Sequence, residues 1–224
     1  MPKFVGRWRS AWRIRLFRDQ FFVSIVALLI ASVLLRIFLD YIETREGVSI
    51  FDPIVSAFPP LDFRWITLSL IYSGMLLGVI SLFLEPYALL LAMRAFVVMI
   101  ILRIVCLFLL PLHPPAGIIP LIDPLIQWPG THPVLTQDLF FSGHVAALAL
   151  FAFTAQWKDM KIIFSSAAAV VSILLLLQHT HYTIDVIAAP CFAYVAYGIA
   201  KWVTVVEVSA PAAGTRSEIP AVHK

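Results

Sequence analysis

The sequence predicts an all-α integral membrane protein that crosses the bilayer six times, on three observations. Of its 224 residues, 61% are hydrophobic and only 13% charged, with a mean hydropathy of +0.94; a soluble domain is about half apolar and a quarter charged. The apolar residues fall into runs close to the roughly 20 residues that a spanning helix needs. The chemistry-bearing residues gather at the mouths of two of those runs. The whole reads as one domain.

The first 20 residues carry Lys3, Arg7, Arg9, Arg13, Arg15 and Arg18 against one acid, Asp19. Trp8, Trp12 and Leu16 recur every four residues, which places them on one face of an amphipathic helix lying along cytoplasmic headgroups. An unstructured positive flank that only sets topology is the alternative. The apolar run that follows is long and has no small-x-small cleavage site, so it reads as a retained first span. The expected spans are residues 21–39, 65–84, 87–110, 139–156, 162–178 and 182–206. The fifth is short, and the sixth carries Asp185 and Lys201. Together they make a membrane domain over 21–206. Residues 207–224 have little to bury and read as a disordered cytoplasmic tail. Cys106 and Cys191 lie inside apolar runs, as small buried side chains rather than a disulfide or a thiolate metal site. The formal charge of +3 implies no nucleic-acid partner, because the basic residues are concentrated at one end.

Orientation follows from Lys and Arg in short loops. The basic N-terminal arm, Lys158 and Lys161 in "WKDMK", and Lys201 all fall on one side of a six-span arrangement. The other side receives the acidic loop after the first span, the "HTH" turn, and the Pro-rich stretch 111–137, which has no Lys or Arg. Both termini are therefore expected in the cytoplasm. The fourth and sixth spans then both begin at the exoplasmic face.

Those two beginnings carry the candidate chemistry. His144 is expected about a turn and a half into the fourth helix, and His181 opens the sixth. The two are 37 positions apart, room for a span, a turn and a span back. His181 and Asp185 are i and i+4, one helical face, and a carboxylate there can fix the imidazole's tautomer and stabilise its positive form. An imidazole so held can attack phosphorus and carry the group covalently. Ser142 and Gly143 stand where a helix starts, and its unpaired N–H groups and dipole favour an anion. Gly143 admits phosphate close to the backbone, the Ser142 hydroxyl adds a donor, and His144 can protonate a departing alkoxide. Asp138 either contacts a headgroup amine or caps the fourth helix. His179, two residues before His181, takes a solvent or supporting role, and His-x-His without further ligands makes no metal site.

Arg94 and Arg103 lie within the third span, where an arginine must find a partner or water. Nine residues apart, they point about 180° from one another. Arg103, nearer the outer end, is the phosphate ligand of choice for its planar fork; a structural ion pair is the alternative for either. Arg36 is expected to snorkel to the interface.

At these residues the chain resembles a known group. "DLFFSGH" from Asp138 resembles the Asp-x-x-x-Ser-Gly-His motif of the sphingomyelin synthases and their relatives. "HTHYTIDV" from His179 is similar to their His-x-His-Tyr-Thr-x-Asp-Val motif. Both sit within the wider type 2 phosphatidic acid phosphatase superfamily. The segment from Arg103 to Gly117 resembles the family's arginine-to-Leu-Pro-x-Pro-Gly stretch, and "PPLD" before the second span is similar to its Pro-Leu-Pro-Asp motif. The likeness extends over residues 59–202.

The resemblance implies a six-helix type 2 phosphatidic acid phosphatase-like bundle with an exoplasmic site and no required metal or cofactor. It implies that His181, oriented by Asp185, attacks a phospholipid's phosphorus and that His144 protonates the leaving diacylglycerol. Arg103, Asp138, Ser142, Gly143 and Tyr182 would contact the substrate. A lipid alcohol such as ceramide, or water, then takes the headgroup. The chain departs from the pattern at Thr136-Gln137, where the family has Cys-Gly, at Val145 in place of Thr, and around Pro190. It also lacks the Lys-x6-Arg-Pro of the general lipid phosphatases. Three functions are thus expected in order: a headgroup phosphotransferase, a lipid phosphate phosphatase or phospholipase C-like hydrolase, and a non-catalytic transport or assembly protein.

Overall fold

The computed structural model describes residues 2–122 and 134–209, with side chains described over 4–122 and 134–204. The middle of the Pro-rich stretch and residues 210–224 of the expected tail lie outside the described residues. Within the described residues seven α-helices follow in order: α1 Pro2–Arg13, α2 Arg15–Ile42, α3 Arg64–Phe83, α4 Pro86–Leu109, α5 Gly143–Thr154, α6 Lys158–Leu177 and α7 Thr183–Ser209. A single 3-10 turn, Val55–Ala57, interrupts the loop between α2 and α3.

Five of the helices, α2, α3, α4, α6 and α7, are long and apolar enough to cross a membrane. Their outer faces are apolar too; Phe22, Leu29, Val33 and Ile37 of α2 are all exposed, as lipid-facing residues are. The architecture is that of a multi-pass membrane protein.

The expected fourth span, 139–156, is shorter than anticipated. Only Gly143–Thr154 is helical, 12 residues, about 18 Å at 1.5 Å per residue against a hydrocarbon core of about 30 Å. Tertiary bonds hold its first residues out of the helix: Asp138 pairs with Arg103, and Ser142 N–H donates to the Asp185 carbonyl at 3.2 Å. Nor does α5 need to match the bilayer, because it runs inside the bundle against α3, α4, α6 and α7 and nine of its twelve residues are buried.

Small residues let its neighbours approach, as they do between membrane helices. A Cβ on Gly78 of α3 would lie 2.7 Å from the Phe151 ring, and one on Gly74 2.7 Å from Leu148. On α7, Ala189, Ala193, Ala196 and Ala200 are buried along one face, while Phe192 stacks on Phe141 with ring centroids 4.5 Å apart.

The N-terminal segment is helical but not as the four-residue stripe expects. Ile14 is extended (φ −86°, ψ 113°) and separates α1 from α2. Leu16 is therefore exposed, and Phe17 takes the inward place beside Trp8 and Trp12. Trp8 Nε1 donates to the Phe83 carbonyl at 2.9 Å and Arg7 pairs with Glu85. This seats α1 at the end of α3 remote from α5's first turn.

Candidate active site

The starts of α5 and α7 come together at one end of the bundle. Ser142 N–H to Asp185 C=O ties them directly, and the connecting turn after α6 is gripped by both neighbouring loops. Leu61 N–H donates to the Leu177 carbonyl at 2.8 Å, Ile119 N–H to the Gln178 carbonyl at 3.0 Å, and Gln178 Nε2 to Thr67 Oγ1 at 2.7 Å.

A cavity of about 220 Å³ opens there, and Arg103, Asp138, Gly143, His144 and His181 all line it. The rest of its wall is largely apolar, including Leu35, Leu39, Met75, Met99 and Leu135. Both histidines expected to share a site thus face one space. His144 is the second residue of α5 rather than a turn and a half in, because the helix begins late. His181 precedes α7 by two residues; its Nδ1 nonetheless reaches Asp185 Oδ2, at 3.4 Å. That oxygen also accepts the Tyr182 N–H at 2.9 Å, and Oδ1 is buried without a hydrogen-bond partner among the described residues. The contact is long, as such bonds often are before substrate arrives.

Arg103 is buried in α4. Its Nη2 donates to Asp138 Oδ1 at 2.5 Å, its guanidinium carbon lies 5.7 Å from the centre of the Phe141 ring, and Nη1 is buried with no partner among the described residues. The guanidinium lies against Gly143, where a Cβ would come within 3.1 Å of its central carbon. Asp138 therefore neither caps α5 nor stands free: Ser142 is the residue at the cap position, its own hydroxyl buried and without a partner among the described residues. Arg94 is off the cavity wall and donates to Ser24 Oγ at 3.4 Å and Thr204 Oγ1 at 3.0 Å. Arg36 pairs with Asp40 at 2.8 Å instead of simply snorkelling.

Three expected site residues stand behind the cavity rather than on it: Ser142, Asp185 and Tyr182. The Tyr182 hydroxyl donates to the His113 carbonyl at 2.9 Å, and its ring borders a separate pocket with His179. His179 is buried, not solvated; it has φ 57°, its Nδ1 donates to the Ala116 carbonyl at 2.8 Å, and its ring packs edge-on against Phe58. Among the described residues, no group of three or more His, Cys, Asp or Glu side chains is arranged to hold a metal ion.

Two acids that the sequence reading missed shape this end of the bundle. Glu43, after α2, accepts the N–H groups of Thr136 and Gln137, each at 2.7 Å, and the Thr136 hydroxyl at 3.1 Å. It fixes the segment leading to Asp138. Asp52 accepts from Ile54, Val55 and Thr183, the last at 2.6 Å from its backbone and 3.0 Å from its hydroxyl. Burial pushes the Asp52 carboxyl up, but the hydrogen bonds from Thr183, Val55 and Ile54 outweigh it and hold the group below its ordinary 3.8. Their signal in sequence is slight: an Asp-Pro turn for one, a helix-end acid for the other.

In this helical bundle two histidines, an arginine and a helix N-terminus converge on one cavity. The family model described as PAP2 superfamily C-terminal matches residues 137–202, the stretch from just before Asp138 through most of α7, and supports placement in the type 2 phosphatidic acid phosphatase superfamily. Members of that superfamily are phosphatases or phosphotransferases acting on lipid phosphates. No curated protein matches the chain.

Proposed function

We propose that the protein is a membrane lipid phosphotransferase that moves a phosphorylated headgroup from a glycerophospholipid to a lipid alcohol such as ceramide, releasing diacylglycerol. The observation that carries this reading is the shared cavity of His144, His181, Arg103 and Gly143. In the proposed sequence, His181 Nδ1–H is held by Asp185, which leaves Nε2 to attack phosphorus. The bond from phosphorus to the glycerol oxygen breaks as the P–N bond forms, and His144 gives its proton to the departing alkoxide. The acceptor hydroxyl then loses its proton to His144 and attacks phosphorus, and the P–N bond breaks. Arg103 Nη1 and the first N–H groups of α5 offer donors to the phosphoryl oxygens through both steps.

Asp138 favours a phosphodiester over a phosphomonoester. It already neutralises part of the Arg103 charge, so a monoanionic diester fits this cavity better than a dianion, which Asp138 would repel. The apolar wall at Leu35, Leu39, Met75, Met99 and Leu135 suits acyl chains of donor and acceptor. Hydrolysis, with water as acceptor, is the second reading; a water molecule would take the same path as the lipid alcohol. In this scheme the cavity opens to the exoplasmic leaflet, both termini are cytoplasmic, and the basic α1 lies on the cytoplasmic headgroups.

Purified protein given fluorescent phosphatidylcholine or phosphatidylethanolamine should release diacylglycerol, with headgroup appearing on ceramide when it is supplied. Inorganic phosphate from phosphatidic acid, without headgroup transfer, would select the phosphatase instead. His181→Ala with undiminished turnover would refute the covalent mechanism.

A further inference from the structure

The α7 start is a helix N-terminus with chemistry resting on it, and its orphan N–H groups have to be satisfied. Two carboxylates share that work. Asp185 Oδ2 takes the Tyr182 N–H at 2.9 Å while also facing His181 Nδ1 at 3.4 Å, and Asp52 Oδ2 takes the Thr183 N–H at 2.6 Å. Asp52 comes from the loop between α2 and α3, 131 positions away in the chain. Its Oδ1 binds the Thr183 hydroxyl at 3.0 Å and the N–H groups of Ile54 and Val55 at 3.0 and 3.2 Å. The residue is buried, and its two oxygens have four donors. This carboxylate is therefore locked from its own loop and in turn locks Thr183, the residue midway between His181 and Asp185.

The geometry points to Asp52 as a positioning residue for the His181–Asp185 pair: by serving the first N–H of α7 it leaves the Asp185 carboxylate to orient His181. Without it, Thr183 N–H lacks its acceptor, and Asp185 is the carboxylate already lying against this helix start. An Asp185 drawn toward Thr183 turns away from the imidazole. The consequence is specific because the two halves of the site are built on different elements. Phosphate donors come from α4 and α5, through Arg103 and Gly143; the proposed nucleophile comes from the start of α7. Disturbing Asp52 therefore slows the chemical step and leaves substrate binding alone. Asparagine cannot replace it, since its NH2 must face either Thr183 N–H or the Ile54 and Val55 N–H groups.

The inference rests on the phosphohistidine reading above, and the test separates the two. Full-length protein in vesicles containing fluorescent phosphatidylcholine and phosphatidylethanolamine together with ceramide is assayed first as wild type and His181→Ala. Turnover by the former and none by the latter keeps that reading; any other result removes it and the present inference with it. Asp52→Asn is then expected to lower kcat by about 10- to 100-fold, the scale of loss for a misplaced catalytic group, with KM within about twofold and a thermal midpoint that, though lowered by the lost charged hydrogen bonds, stays above the assay temperature. Thr183→Val, which keeps the N–H and removes one hydroxyl bond, should show a smaller fall in kcat at the same KM. Wild-type kcat in Asp52→Asn, a rise in KM of the same size as the fall in kcat, or a lowered thermal midpoint that accounts for the lost activity would overturn the inference. If Asp52→Asn does not fold, Thr183→Val decides alone, and an unaltered kcat there is the overturning result.

Discussion

Arg103 divides its guanidinium between Asp138, through Nη2, and the cavity beside Gly143, where Nη1 has no partner among the described residues. Lysine has one compact charge and cannot reach both places. Arg103→Lys is accordingly expected to lower kcat/KM by about 10- to 100-fold, the equivalent of one charged hydrogen bond of roughly 1.5–3 kcal/mol, in the headgroup-release assay. Gly143→Ala tests the same contact from the opposite side: its Cβ would stand 3.1 Å from the guanidinium carbon, so the arginine must shift. Activity should fall while the thermal midpoint barely moves. Asp138→Asn should raise turnover of phosphatidic acid relative to phosphatidylcholine, because the dianion no longer meets a carboxylate; an unchanged ratio would remove the electrostatic argument for a diester. Much at this scale was legible beforehand. That His144, His181 and Gly143 would meet at one end of the bundle was readable from helix-start spacing, though their exact places in the helices were not; the partner of Asp138 could not be read, since 35 residues separate it from Arg103 and a cap was equally compatible with its position.

Among the elements, α5 owes its place to two small residues on its neighbour α3. Gly78→Ala puts a methyl group 2.7 Å from the Phe151 ring, and overpacking of this kind costs about 1–3 kcal/mol. A lowered thermal midpoint in detergent is expected, and a midpoint equal to wild type would mean that the ring relaxes freely. The loop between α2 and α3 makes a separate, pH-dependent contribution through Asp52. Its carboxyl is held below its ordinary 3.8 in the folded protein, so the stabilisation is complete above that value and is lost as pH falls through the lowered one. Thermal midpoints should thus be insensitive to this group at neutral pH and decline below about pH 4, with a shallower acid decline in Asp52→Asn. The sequence pattern located α3, α4, α6 and α7 to within four residues at each end, and α2 to within six, because apolar runs and breakers are local. It overestimated α5, whose ends are decided by bonds to Arg103 and Asp185 rather than by hydropathy.

For the whole molecule, the arrangement puts α1 at one end of the bundle and the cavity at the other, which gives the proposed orientation a direct test. In a chain with Cys106 and Cys191 replaced by alanine, a cysteine at the exposed Ser56 should react with an impermeant maleimide on intact cells. One at the exposed Ser10 should react only after lysis. The reverse pattern would overturn the exoplasmic site. Composition and run length by themselves determined that this is a helical multi-pass membrane protein, since transfer from water to lipid depends on the apolar content of each segment and not on its neighbours. The pair of histidine-bearing helix starts was readable for a related reason, because helical spacing and turn length are properties of adjoining residues. Only the tertiary structure decided that Arg103 and not Arg94 lines the cavity, that Tyr182 and Ser142 stand behind it, and that Glu43 and Asp52 brace it. Those outcomes depend on which donors and acceptors meet across 35 to 131 positions of chain, and no local pattern specifies such a meeting.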